Sequence, residues 1–359
     1  MKLAILGTRG IPAQYGGFET FAEELAVRLV QHGIDVTVFC ELQAQDQVAE
    51  YKGVKLCYEP VFQLGPLTTI IFDLLCLWRA RKDFNVVYML GYGASLFCFL
   101  PRIWGRKVWV NMDGVEWARS KWSWPAKLWL KIMEAVAMWT PSRIIADADA
   151  ILKHLENRYS HLPPSTFIPY GAKVTDIPPL ESVLDEWNLQ SKSYLLVVCR
   201  LEPENHLLEI IQGYRASAVV MPLIILGNHL AGTPYIKSLV GYSSGNIRFL
   251  GTVYDHDKLL ALRYHSYAYL HGHSVGGTNP SLLEAMGCGN GIVAHDNQFN
   301  REVAGASALY FNDVASLTAI LNNLGDMVEN GRVAQQLIRD CYTWDKIVSD
   351  YLGLLAEDK

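Results

Sequence analysis

Short apolar runs separated by amphipathic stretches recur along nearly the whole chain. Residues 2–7 form a continuous apolar run, the glycine-bearing loop TRGIPAQYGG follows, and residues 18–32 repeat apolar side chains at helical spacing. Gly33 stands where a helix C′ glycine would, and residues 35–40 predict the next strand. The alternation continues with strands at 54–58, 86–90, 107–111 and 143–146, and with helices near 67–81, after Gly93 and about 126–139. A run at 165–169 predicts the last strand of this series, and the proline-rich PYGAKVTDIPP after it reads as a linker. The pattern then restarts, with strands at 194–199, 223–226, 247–250, 267–270 and 291–294 and helices between them. Strands alternating with helices over such lengths predict parallel sheets covered on both faces, an α/β class. Two doubly wound, Rossmann-like domains, 1–170 and 171–342, fit the pattern, and residues 343–359 read as a tail helix returning to the first domain. Ligands of such folds sit at the C-terminal ends of the strands, so a cleft between the two domains is the expected site.

Composition narrows the class. Half of the 359 residues are hydrophobic, a fifth are charged, and the net charge of −5 leaves no overall footprint for nucleic acid. The seven cysteines, at 40, 57, 76, 98, 199, 288 and 341, show no CxxC spacing, which favours a reducing cytoplasm and argues against zinc. The N-terminal MKLAILGT reads as a first strand rather than a signal peptide. Residues 84–101 are uncharged over nearly a spanning length, but Asn85, Gly91 and Gly93 interrupt them and a strand-like VVYML opens them. Two DxD spellings, Asp147-Ala148-Asp149 and Asp255-His256-Asp257, open helices, where capping explains carboxylates better than a metal does. The histidines form no ligand spacing, so no metal and no resident cofactor are expected.

The densest chemistry lies in HGHSVGGTNPSLLEAMGCGNGIVAHD, residues 271–296, which reads as loop, helix and strand after an apolar run. Glycine lets backbone approach a ligand closely and a helix start leaves amides unpaired, so Gly277, Thr278 and Asn279 suit a phosphate. Glu284, one to two turns into that helix, can accept hydrogen bonds from vicinal sugar hydroxyls, which points to a nucleotide. The plainer alternative is an ordinary crossover with Asn279 as N-cap. Gly16 and Gly17 before the first helix make a second anion cradle. Glu41 ends the second strand, as the ribose-binding acid of a dinucleotide fold would, but GTRGIPAQYGG is too long for a GxGxxG turn.

Four motifs give a resemblance that spans essentially the whole length. Gly16-Gly17 with Glu19 matches a GGxE pattern, and Cys199 to His206 matches G-R-L-x-P-E-K-G with Arg200 retained and Asn205 at the lysine. Leu283-Glu284-Ala285-Met286 matches the end of E-G-F-G-L-P-x-L-E-A-M, whose first glutamate falls on Gly276. Residues 113–122 match H-G-x-E-W-x-R-x-K-W with Asp113 at the histidine. The chain thus resembles retaining GT-B glycosyltransferases of family 4, and looks most like bacterial capsule and exopolysaccharide rhamnosyltransferases. The resemblance implies two Rossmann-like domains facing across a cleft and a nucleotide-sugar donor. Its diphosphate would be held by Arg200, Asn205, Gly16, Gly17 and residues 277–279, and its ribose by Glu284. It also implies transfer on one face of the sugar, the leaving diphosphate taking the acceptor proton, without a metal.

The groups that read the sugar are the ones replaced, so dTDP-L-rhamnose, which has no 6-hydroxyl, is the expected donor; UDP-glucose and GDP-mannose are alternatives. Asp113 and Glu116 are candidate carboxylates for orienting hydroxyls, Glu116 being equally well explained as an ion pair with Arg119. Eight of the ten tryptophans lie in the first domain, and between 102 and 131 seven cations interleave with them. KWSWPAKLWLKIM, residues 121–133, could lie in the headgroup plane of an anionic membrane. A lipid-diphosphate-linked saccharide acceptor would be met there, with the protein peripheral on the inner face of the plasma membrane; the alternative is that these tryptophans are core. Other classes consistent with the replaced residues are a non-catalytic sugar-nucleotide-binding protein, an epimerase of the same fold, or a dehydrogenase.

Overall fold

The computed structural model describes residues 1–359 except 14–15, 43–46, 66, 120 and 359. Gln14 and Tyr15 of the first glycine loop, and Ser120 of the motif at 113–122, therefore lie outside the described residues. The first series runs β1 (Lys2–Leu6), α1 (Gly17–Gln31), β2 (Asp35–Glu41), β3 (Glu50–Tyr51), β4 (Val54–Glu59), α2 (Leu67–Ala80), β5 (Val86–Leu90), α3 (Phe99–Ile103), β6 (Lys107–Met112), α4 (Trp124–Val136), β7 (Arg143–Ala146), α5 (Asp149–Arg158) and β8 (Ser165–Phe167). The second runs β9 (Leu195–Val198), α6 (Leu207–Ala216), β10 (Leu223–Leu226), α7 (Pro234–Val240), β11 (Ile247–Gly251), α8 (His256–Tyr264), β12 (Ala268–His271), α9 (Pro280–Gly287), β13 (Gly291–His295), α10 (Gln298–Ala304), β14 (Ala308–Phe311), α11 (Val314–Asn322) and α12 (Val328–Cys341). The chain ends in α13 (Trp344–Glu357).

Two compact units result: Met1–Tyr170 together with Trp344–Lys359, and Gly171–Thr343. The sheet of the first unit has the order β3-β4-β2-β1-β5-β6-β7-β8, parallel except for the short edge strand β3, which pairs antiparallel with β4. The sheet of the second, β11-β10-β9-β12-β13-β14, is parallel throughout. Strands covered on both faces must be apolar along their length, and β1, β5, β6, β10 and β12 are buried almost end to end. Residues 84–101 are β5 followed by short turns, and no helix among the described residues is long and apolar enough to cross a membrane.

Helix α13 is bound into the first unit by both packing and polar contacts. It lies beside α1, where Phe21, Leu25 and Leu29 share a buried stripe. The Phe21 ring meets Tyr170, Tyr351 and Trp344 at centroid distances of 4.8, 6.1 and 6.2 Å. In the core beneath, the Tyr351 and Tyr88 hydroxyls lie 2.7 Å apart and Asn111 Nδ2 donates to Tyr88 at 3.1 Å, so these buried hydroxyls are partnered. At the C-terminus Trp109 Nε1 donates to Asp358 at 2.8 Å, and Arg143 pairs with Glu357 at 2.7 Å.

Candidate functional site

In the second unit two loops leave the C-terminal ends of adjacent strands and are laced together. The loop after β9 carries Arg200 to His206, and the loop after β12 carries Gly272 to Asn279. The Ser274 N–H and hydroxyl both donate to the Glu204 carbonyl, at 3.1 and 2.9 Å. A Cβ on Gly272 would lie 2.0 Å from the Asn205 carbonyl oxygen, so the close approach requires glycine there. Arg200 is exposed, its guanidinium 3.7 Å from Glu202. Asn205, by contrast, is 3% exposed and its amide donates to the Arg200 carbonyl at 2.7 Å. One of its two amide N–H groups thus braces the loop that presents Arg200.

The second loop runs into α9. Asn279 is its N-cap, accepting from Ser281 N at 3.1 Å and Ser281 Oγ at 2.8 Å, so its side chain does what the plainer reading assigned to it. Thr278 is buried, and Gly276 and Gly277 help line a small cavity with His273, Ser274 and Asn297. Gly276, where the motif has a carboxylate, has φ +128° and presents bare backbone. Glu284 is held from the side: its Oε2 lies 2.6 Å from Arg263 Nη2, with Arg263 7% and Glu284 36% exposed. One carboxylate oxygen is thus anchored on a buried cation while the residue still reaches solvent.

Four histidines surround these loops, a feature that ligand spacing does not reveal because the rings meet only in the fold. His206 stacks on His295 at 4.1 Å, and His271 on His273 at 4.4 Å. His206 occupies the last position of the motif at 199–206, where the pattern has glycine, and adopts φ +48°, a left-handed conformation that costs a non-glycine residue energy. Burial, with His295 nearby, pushes His271 down to about 3, and burial with His206 nearby pushes His295 down to about 4. Both rings are therefore neutral near pH 7. Among the described residues no group of three or more histidine, cysteine or acidic side chains is arranged to hold a metal ion.

In the first unit the loop after β1 is tied to α1. Glu23 accepts from Ala13 N at 2.8 Å, Tyr51 Oη at 2.8 Å and Lys52 at 3.2 Å; burial pushes its pKa up, but these donors outweigh it and the net shift is downward. Gly16, at φ +133°, and Gly17 are exposed at the start of α1, and a Cβ on Gly16 would collide with Glu19 at 2.0 Å. Asp113 follows β6 directly and is half-buried. Its charge adds to burial in raising the Tyr170 hydroxyl well above the usual tyrosine range.

Glu116 is not an open carboxylate. Arg119 lies 2.5 Å from one oxygen, and Lys121 at 2.9 Å and Trp122 Nε1 at 3.0 Å meet the other. The ion pair the sequence offered for it is thus formed, and three donors occupy most of the carboxylate's acceptor sites. Of the helix-opening carboxylates, Asp255 caps α8 through Asp257 N and Lys258 N, whereas the cap of α5 falls on Ala148, and Asp149 pairs with Lys153.

Comparison with known proteins bears on the fold first. The protein superposes on sucrose-phosphate synthase from Thermosynechococcus elongatus with a TM-score of 0.82 at 15% identity, covering 99% of this chain and 98% of that one. HepE of Anabaena, solved in complex with UDP and glucose, gives 0.80 at 16% identity over 99% and 100%. The fold is GT-B. Residues 1–173 match a family described as Domain of unknown function (DUF1972). An uncharacterized glycosyltransferase, MJ1069 of Methanocaldococcus jannaschii, is 32% identical over 127 residues, which covers 32% of this chain and 32% of that protein. The chain thus spans about a third of the length of that relative.

Proposed function

We propose that the protein is a retaining glycosyltransferase that moves a sugar from a nucleotide donor onto a lipid-diphosphate-linked or glycan acceptor in bacterial polysaccharide synthesis. The observation that carries the reading is the pair of laced loops in the second unit. They join the loop that carries an exposed arginine, Arg200, to the loop that runs through 276–279 into α9, whose Glu284 is held by Arg263. A diphosphate is bound by a guanidinium and amides, and a nucleotide sugar ring by an oriented carboxylate, so the three groups suit one ligand class. Charge growing on the departing diphosphate would be stabilised by Arg200 and the amides of 277–279, a role that calls for no cofactor. The nucleotide-sugar class is also supported by the UDP and glucose found in HepE, a protein of the same fold.

For the donor we favour dTDP-L-rhamnose. Gly276 offers no carboxylate to a sugar hydroxyl, and Asp113 replaces a histidine at the end of β6, so groups that would grip a fully hydroxylated hexose are missing. Asp113, half-buried beside Tyr170, is the first-unit carboxylate we assign to acceptor or sugar hydroxyls. The lipid-linked acceptor places the enzyme peripherally on the inner face of the plasma membrane. A second reading, a sugar-nucleotide-binding protein without turnover, is favoured by the neutral Asn205 at the motif's lysine, whose amide donates to the Arg200 carbonyl and brings no charge to a diphosphate. Turnover assays with dTDP-L-rhamnose, UDP-glucose and GDP-mannose against lipid-diphosphate-linked glucose test both. Product with the rhamnose donor, lost in Asp113→Ala while nucleotide binding persists, supports the proposal. Binding without product from any donor supports the second reading.

A further inference from the structure

The helices on one face of the first unit carry apolar side chains outward. The connections β4 to β5, β5 to β6 and β6 to β7 all step the same way along the sheet, so right-handed crossovers put α2, α3 and α4 on one face, opposite α1. They lie side by side: α2 packs on α3, α4 packs on the 95–98 turn, and Arg102 of α3 donates to the Trp139 and Thr140 carbonyls after α4. The tryptophans divide between the two sides. Trp109 is core, and Trp117, Trp122 and Trp129 are partly buried with their indole N–H groups donating to Glu134, Glu116 and the Gly93 carbonyl. Trp124, 75% exposed, instead begins an outward stripe with Leu128 and Ile132, one helical turn apart each. Phe99 and Ile103 continue it on α3, and Trp78 and Trp104 meet edge to face at 6.1 Å beside them.

Cations predominate on these three helices, although Asp83 just past α2 is exposed and the β7-to-β8 crossover puts α5, with its exposed Glu156, on the same face. The acids of α2 and α4, Asp73 and Glu134, are buried, and residues 84–112 contain no acid at all. Lys127 and Lys131 flank the α4 stripe, and Arg81 lies over the rings of Trp78 and Trp104 at 3.9 and 5.5 Å. An exposed apolar surface with tryptophan beside cations is suited to the headgroup layer of an anionic bilayer, which takes the apolar side chains and supplies the missing negative charge. A second copy of the same face would oppose cation to cation.

We propose that the outward face of α2, α3 and α4 is the surface on which the protein lies against an anionic membrane. This deepens the reading of a lipid-linked acceptor and rests on it only for what is met there. Flotation of the full chain with phosphatidylcholine vesicles, with and without phosphatidylglycerol, tests it. Salt-sensitive flotation that requires phosphatidylglycerol is expected. Trp124→Ser with Ile132→Ser, and separately Lys127→Glu with Lys131→Glu, should each weaken it by roughly tenfold or more, since Trp124, Ile132 and Lys131 are exposed and Lys127 is partly so. Nucleotide affinity, measured in the same variants without vesicles, should stay at the wild-type value, so failure of membrane binding is distinguishable from failure of the donor reading. No flotation with phosphatidylglycerol, equal flotation of the variants, or a dimer in sedimentation that these substitutions dissolve would each overturn the proposal.

Discussion

Replacing Glu284 by alanine removes the carboxylate partner of a cation that is only 7% exposed, and the consequences for stability and for binding can be separated. Breaking a buried ion pair from one side costs about 3–5 kcal/mol because the remaining charge is left uncompensated. Here the pair opens to solvent on the glutamate side, 36% exposed, which places the cost near the lower end, about 3 kcal/mol. For a unit spanning Gly171–Thr343 that corresponds to a melting temperature lower by about 6–12 °C. Arg263→Met leaves the other partner, which water reaches, so its penalty should be smaller. The double variant removes the orphaned cation and should recover most of the stability lost by Glu284→Ala. Binding follows a different order. A charged acceptor of a sugar hydroxyl contributes about 1.5–3 kcal/mol, so Glu284→Ala and the double variant should both weaken UDP, whose ribose has vicinal hydroxyls, by about 10- to 150-fold, and dTDP, which keeps only the 3′-hydroxyl, by about the lower end of that range, while Arg263→Met weakens both less. Thermal melts and calorimetric titration with dTDP and UDP read both quantities. Wild-type affinity in Glu284→Ala, or a double variant no more stable than the single, would refute the reasoning.

Two further outcomes follow from buried groups. His295 and His271 are depressed to about 4 and about 3 from an ordinary value of 6.5, so the unfolded chain binds protons first as pH falls. The second unit should therefore lose stability from about pH 6.5 downward through pH 4, and a His295→Asn variant should show a shallower decline in melts across that range; parallel curves would contradict the assignment. Tyr351→Phe removes the 2.7 Å contact to Tyr88 but leaves the Asn111 donor in place, so it should cost the first unit about 1 kcal/mol in denaturant unfolding and leave nucleotide affinity unchanged.

The strands were legible because parallel sheets bury both faces and so write continuous apolar runs into the sequence. The exceptions are β3, only two residues long, and β14, whose four residues ALYF are a short run that was passed over although Gly305 closes the helix before it. The loop leading into the helix of Glu284 was legible because glycine and helix-start chemistry mark it locally, whereas Arg200, in a stretch without glycine, was reached only through the motif resemblance. Arg263 was not, since its partner lies on a different helix and nothing in HDKLLALRY distinguishes it from a surface cation. The histidine stacks have the same origin: His206 and His295 lie far apart in sequence and meet only in the fold. The tryptophans between 109 and 129 are two populations that the sequence does not separate, because the indole donors to Glu134, Glu116 and Gly93 are spaced no differently from the outward-facing Trp124.

The central claim is that Arg200 and the loop at 276–279 receive a nucleotide diphosphate. Calorimetric titration of wild type and Arg200→Ala with dTDP and dTMP tests it most directly. The wild type should prefer the diphosphate, and Arg200→Ala should lose that preference while keeping its affinity for dTMP. Equal binding of dTDP by the variant and the wild type would contradict the account.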